Sequence, residues 1–301
     1  MKITKSLTIV LCLMCHLAIA GAPGITGTPI NKDPNCVVNK NDPFEPRVRM
    51  QYGPDAGACI NSILRRSAMQ LAPAVAAKYF VPVADTIVVA NVSHKNKFWV
   101  ARIPVEAITK MVLQSEHFPM ISTPVKIDID HTQIRFDFSR PIYLVSQESN
   151  TPRKMTKLKN LILSVENIGP KGEAFNFIGG ARGHFNLAYR LVSLEDKFNW
   201  MVTENQDIVS QKNFLLNKKQ QTSVLLEGIR RGTQYGSSRS YDSFSRNCST
   251  ELLDLFNTLF NTKKFPVTGF VSNKLPKKLQ SMGILSTKEM PDFNDEYWDL
   301  Q

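Results

Sequence analysis

The residue with the clearest chemical potential in this chain is Cys248. From Leu252 onward the apolar residues are Leu252, Leu255, Phe256, Leu259 and Phe260. This i, i+3, i+4, i+7, i+8 stripe marks a helix with one buried face. Cys248 lies four residues before Leu252, so its sulfur shares that face in the first helical turn. Asn247 is a suitable N-cap, with Thr250 at the third helical position. Unpaired N–H groups and the helix dipole favour an anion at such an end. The spacing therefore predicts a thiol of lowered pKa, beside N–H groups able to donate to an oxyanion. The bland alternative is a buried cysteine serving as a small core hydrophobe.

A thiolate nucleophile needs a base. After a leader is set aside, the candidates are His94, His117, His131 and His184. His184 follows the glycine-rich segment Ile178-Gly-Gly-Ala-Arg-Gly183 and opens the predicted strand Phe185–Val192. That position would fix the imidazole on a rigid element while glycines permit close approach. His94 and His131 fall in predicted hairpin turns and His117 near a predicted helix end, where solvent exposure accounts for them.

The elements that must position these residues are mixed. Residues 23–58 are rich in Pro, Gly, Asn and Asp and read as an irregular arm. An apolar stripe over Ile60–Ala77 predicts a helix interrupted by Pro73. Strand patterns follow at Thr86–Val92, Phe98–Ile103, Val125–Ile129, Gln133–Phe138 and Pro141–Val145, with a helix predicted around Val105–Ser115. Beyond a polar boundary at Gln147–Lys157 come predicted strands Leu158–Val165, Phe185–Val192 and Phe198–Thr203. Helices near Asn217–Arg231 and Cys248–Phe260 complete the pattern. The division expected is a leader at 1–20, a strand-rich region at 21–150 and a catalytic region at 151–301.

The leader rests on Lys2 and Lys5, the apolar Leu7–Leu17 and the small-x-small site Ala18-Ile19-Ala20, which predict export with cleavage. Export to an oxidising compartment makes Cys36 and Cys59 a natural disulfide pair and leaves Cys248 odd. These cysteines lack zinc spacing, so no metal or cofactor is expected. Composition is 43% hydrophobic and 21% charged, which excludes a disordered tail, a collagen-like fibre and a disulfide mini-scaffold. The net charge of +11 suits anionic surfaces such as lipid headgroups or cell-wall polymers. Basic clusters interleaved with aromatics are missing, so no nucleic-acid partner is expected.

Gly183-His184 ahead of a strand, then Tyr241 and Asn247-Cys248-Ser249-Thr250 opening a helix, resembles the N-terminal periplasmic domain of the Lnb family. The likeness covers roughly Leu158–Leu259 and shares the His-before-Cys order of permuted papain-like proteins such as the NlpC-type peptidases. It implies an α+β fold, with a permuted papain-like antiparallel sheet packed on helices behind a strand-rich N-terminal region. It also implies a thiolate at Cys248, a base at His184 and acyl transfer through a thioester. The implied partners are membrane phospholipid and lipoprotein, reached by peripheral membrane contact, with a cell-wall peptide as the alternative substrate. A non-enzymatic envelope-binding protein is the reading from another class. A third group should orient His184. The hairpin partner of its strand offers Asn199, Thr203 and Glu204, with Glu195 and Asp196 in the turn, and Glu204 ranks first. Tyr241 is a candidate support near the site, and Arg182 and Arg246 are candidate ligands for phosphate or carboxylate.

Overall fold

Alternation in the sequence builds long strands with one apolar face. In β5 (Ile127–Ser146) the buried Ile134, Phe136, Phe138, Ile142 and Leu144 all point one way. The computed structural model describes residues 44, 49–50, 53–60, 65–120, 127–147, 154–260 and 274–300. The predicted leader and Cys36 lie outside them, so the Cys36–Cys59 bridge stays an expectation.

The strands β2 (Thr86–His94) and β3 (Lys97–Pro104) form a hairpin closed by Lys95 and Asn96. Both turn residues have positive φ, 52° and 55°, as a tight two-residue turn requires. Next comes β4 (Ile108–Met120), antiparallel to the first part of β5. A register shift between Asp137 and Ile142, with Pro141 inside it, bends β5. Its second part pairs with β3 from Tyr143 to Ser146. The antiparallel neighbours β6 (Met155–Ile168) and β7 (Asn186–Ser193) follow, and β7 then lies parallel to β2 at Val92↔Leu191.

The ring β2-β7-β6-β5-β3 therefore closes on itself as a five-stranded barrel. Off this ring, β1 (Met69–Gln70) pairs with β2, and β4 carries β8 (Ile208–Phe214) and then β9 (Leu285–Glu289). The expected papain-like antiparallel sheet packed on helices is thus overturned. Two long-range pairings, β3 with the bent end of β5 and β2 with β7, turn a sheet into a barrel. They also join strands from both sides of residue 150.

Local expectations shift for related reasons. The helix predicted around Val105–Ser115 is a 3-10 turn, Val105–Ala107, running into β4, because its residues pair with β5 on one edge and β8 on the other. Among its described residues the stripe near Ile60–Ala77 yields the short strand β1 and the single turn α1 (Pro73–Ala76). The predicted strand Phe198–Thr203 is helical: α3 (Leu194–Phe198) continues into a π-helical turn at Asn199–Glu204. Between β6 and β7 sits α2 (Phe177–Ala181).

The long helices fall where the periodicity puts them. The first, α4 (Lys218–Tyr235), opens with a reciprocal capping box between Asn217 and Gln220. It packs tightly on the barrel at Gly228, where a Cβ would come 2.4 Å from Leu163 Cδ2. The second, α5 (Cys248–Phe260), buries Leu252, Leu255 and Phe256 in the main core with α4 and the barrel strands. No helix of the described residues is long and apolar enough to cross a membrane.

Candidate active site

At the start of α5 the cap is complete. Asn247 Oδ1 accepts from the N–H groups of Ser249 and Thr250, both at 3.1 Å, and Thr250 Oγ1 accepts from Asn247 N–H at 2.8 Å. Two of the N–H groups expected to face an oxyanion are therefore already taken. The N–H of Cys248 itself has no acceptor among the described residues and is the donor left over. The Asn247 Nδ2 group donates to Ser243 O at 3.0 Å, tying the cap to the preceding loop.

The Cys248 side chain is 8% exposed. Its Sγ lies 4.0 Å from Asp130 O and 3.8 Å from Ser249 Oγ, and Ser249 bonds to Thr132 Oγ1 at 2.9 Å. Burial pushes the thiol pKa up, and this outweighs hydrogen bonding from Thr132 and Ser249 that favours the thiolate. The helix terminus was expected to lower it. Desolvation wins here because the sulfur sits against β5 rather than in solvent, so the resting group is a neutral thiol.

His184 stands between α2 and β7, one third exposed, with Nδ1 2.6 Å from the carboxylate of Asp55. Its Nε2 has no hydrogen-bond partner among the described residues. Asp55 belongs to the turn at 53–58, pinned by Ala56 N–H to Gly53 O and Ala58 N–H to Asp55 O. This turn presses on the histidine loop at Gly53. With φ +86°, Gly53 has no room for a Cβ, which would fall 2.1 Å from Gly183 O. The acid that meets His184 is thus Asp55, which lies within the stretch predicted to be an irregular arm.

Glu204, ranked first for that role, is elsewhere. Together with Glu195, Asp196 and Asn199 it lines a cavity on the other face of the sheet. Tyr241 does reach the site. Its N–H donates to Phe185 O at 2.8 Å, its ring meets Phe175 edge-on, and burial with the neighbouring Cys248 pushes its phenol pKa up. Arg246 Nη1 bonds to Ser240 Oγ at 3.1 Å and holds the loop that leads into the cap, while Arg182 is exposed at the end of α2.

The 240–247 loop is the physical link between the His184 strand and Cys248. Ser240 bridges to Asn186 in β7, Ser243 Oγ donates to Phe177 O at 2.9 Å, and Asn247 follows. No hydrogen bond joins Cys248 to His184 among the described residues. A second histidine–acid pair involves a residue that touches the sulfur: His117 Nδ1 is 2.8 Å from Asp130 Oδ1, and the Asp130 carbonyl faces Sγ. His117 lies within β4, not at a helix end, and its Nε2 is also engaged, 2.9 Å from Ser210 Oγ.

A model of the Lnb N-terminal periplasmic domain matches residues 108–271, more than half of the chain. The chain belongs to the Lnb family. No curated protein and no solved structure matches it. The match contains His184, Tyr241 and the Asn247-Cys248-Ser249-Thr250 run, and a domain of this family is periplasmic, in keeping with the export expected from the leader. It excludes Asp55 and the β2–β3 hairpin. In this Lnb-family chain, residues before the matched segment supply both the acid at His184 and two of the five barrel strands.

Proposed function

We propose that this periplasmic Lnb-family protein is a cysteine-dependent acyl-transfer enzyme. The observation that supports it is the His184–Asp55 pair, which leaves the imidazole Nε2 open on the loop linked to the start of α5. In this reading Asp55 holds the imidazole in one orientation and steadies the imidazolium when it forms. His184 takes the thiol proton as Cys248 attacks an ester or amide carbonyl, then returns it to the leaving group. The carbonyl oxygen receives the free N–H of Cys248. A neutral resting thiol fits general-base activation on substrate binding, not a standing ion pair. Phospholipid or lipoprotein acyl groups are the proposed substrates, met by peripheral contact of a basic protein with the membrane.

The burial of Cys248 and its lack of a bond to His184 favour a second reading, an envelope-binding protein without turnover. Intact-mass spectrometry after incubation with phospholipid vesicles separates the two. Acyl transfer predicts a fatty-acyl increment that maps to Cys248 and vanishes in Cys248→Ala and His184→Ala. Absence of both adduct and fatty-acid release, in protein that binds the same vesicles, supports the binding role. An adduct that survives His184→Ala but is lost in His117→Ala moves the base to the His117–Asp130 pair.

A further inference from the structure

On the face of the barrel away from Cys248, a cavity of about 540 Å³ opens between the β2–β3 hairpin and the α3 segment. Its volume falls in the range of ligand sites, roughly 300–1,000 Å³. Alternation along the strands sets its floor: Glu166 and Arg190 point opposite to the core residues Val165 and Tyr189. Among the described residues a single floor carboxylate serves three cations. Glu166 receives Arg190 Nη1 at 2.5 Å and Lys197 Nζ at 2.7 Å, with Arg65 Nε at 3.6 Å.

The glutamate and the lysine are both more than nine-tenths buried. Acids at the rim are mostly engaged: Asp196 accepts from Ser93 Oγ and Lys95 N–H, and Glu195 pairs with Lys95. Glu116, the next buried acid, has its pKa pushed up to about 8 by desolvation, so it adds no balancing charge at neutral pH. Among the described residues the floor therefore sets Arg65, Arg190 and Lys197 against Glu166, while Glu204 joins Glu195 and Asp196 as the acids lining the rest of the cavity. Desolvated cations in such a setting are stabilised by an anion that completes their hydrogen bonding.

The cavity also has flat apolar walls. Trp200 is 40% exposed within it, with Lys197 Nζ 5.2 Å from its ring centroid. Phe98 forms another wall, with the Arg66 guanidinium 4.3 Å above its ring. We propose that this cavity binds a small anion bearing a planar ring, its carboxylate or phosphate group held by Arg65, Arg190 and Lys197 and its ring against Trp200. The site is separate from Cys248 and stands whether or not that residue reacts.

Calorimetric titration of the full chain with phenyl phosphate, phenylacetate and inorganic phosphate tests it. Saturable one-site binding of at least one ring-bearing probe, with Kd near or below ~1 mM, is expected. The two ring-bearing arms tell phosphate from carboxylate recognition, and inorganic phosphate should bind about tenfold more weakly, a preference lost in Trp200→Leu. Arg65→Gln, at a partly exposed position, should weaken binding about tenfold, the cost of one charge-assisted hydrogen bond. Cys248→Ala should bind as the unaltered protein does. Binding of neither ring-bearing probe up to about 10 mM, or affinity indifferent to both ionic strength and Arg65→Gln, overturns the proposal.

Discussion

Adjacent residues on β5 face two different environments. Thr132 points to α5, where Ser249, Cys248 and an apolar core meet it with hydroxyls, a carbonyl and a neutral thiol. His131 points the other way, bonded to Ser164 beneath the Glu166 cluster and surrounded by Arg65, Arg190 and Lys197. Around the Cys248 sulfur the contacts are uncharged, although further along the same helix Glu251 is buried with Arg231 and Arg239. The opposite face gathers three cations on the carboxylate of Glu166. Reactivity at a cysteine needs only one proton moved at the right moment, whereas recognition of an anion needs standing charge. The strand's two-residue period lets one ladder carry both.

The largest expected effect tests the margin of the cysteine face. Asp55→Asn keeps the turn but removes the charge that orients His184, and should lower kcat by about 10²–10⁴ with the melting temperature nearly unchanged. A loss below about tenfold would reduce Asp55 to a structural contact. Next in size, Lys197→Met removes the donor to Glu166 Oε1 while Arg190 and Arg65 still neutralise the carboxylate, and should destabilise the fold by ~1–3 kcal/mol in denaturant titrations. Native-state alkylation of Cys248 should be unchanged in this variant, and a large change would show that the two faces are coupled.

The pH dependence of stability sharpens the contrast. Glu116 and His131 are cross-strand partners. Burial raises the glutamate from its ordinary 4.5 to about 8 and lowers the histidine from 6.5 to about 3. Between pH 4.5 and 6.5 the folded chain keeps the proton on Glu116 and lacks the one on His131, so the two contributions cancel. From 6.5 to 8 only Glu116 still differs, the folded state binds the extra proton, and stability falls by about 2 kcal/mol. Below 4.5 stability falls again, as His131 resists protonation and Glu296, held down to about 2 chiefly by Arg135, loses its charge. Glu116→Gln should abolish the alkaline loss, and an unchanged profile would remove Glu116 from the account. The smallest effect belongs to the α5 cap: Asn247→Ala should cost ~1 kcal/mol or somewhat more, read from thermal melts, and should free the Ser249 and Thr250 N–H groups.

Some of this was legible in the residues. The helix over Cys248–Phe260 starts where its apolar stripe and Asn247 place it, because a cap and a 3.6-residue period are local properties. The strand after His184 and the capped α4 were readable for the same reason. The helix expected around Val105–Ser115 was not, since a strand paired on both edges needs no alternation of its own. Glu204 follows from the expectation that the hairpin partner lies beside the histidine, yet that segment folds as a π-helical turn on the opposite face, and Asp55 comes from the arm instead.

By itself, then, the sequence determined the Cys248 helix, its cap, the strand after His184 and the family motif that joins them. Tertiary structure alone decided that the strands close into a barrel, that Asp55 and not Glu204 meets His184, and that the thiol rests neutral. The physical reason is distance along the chain. Caps and periodicities act within a few residues, while the Asp55–His184 pair, the β2–β7 pairing and the burial of Cys248 against β5 link segments roughly a hundred residues apart. Their free energy exists only once the whole barrel has formed.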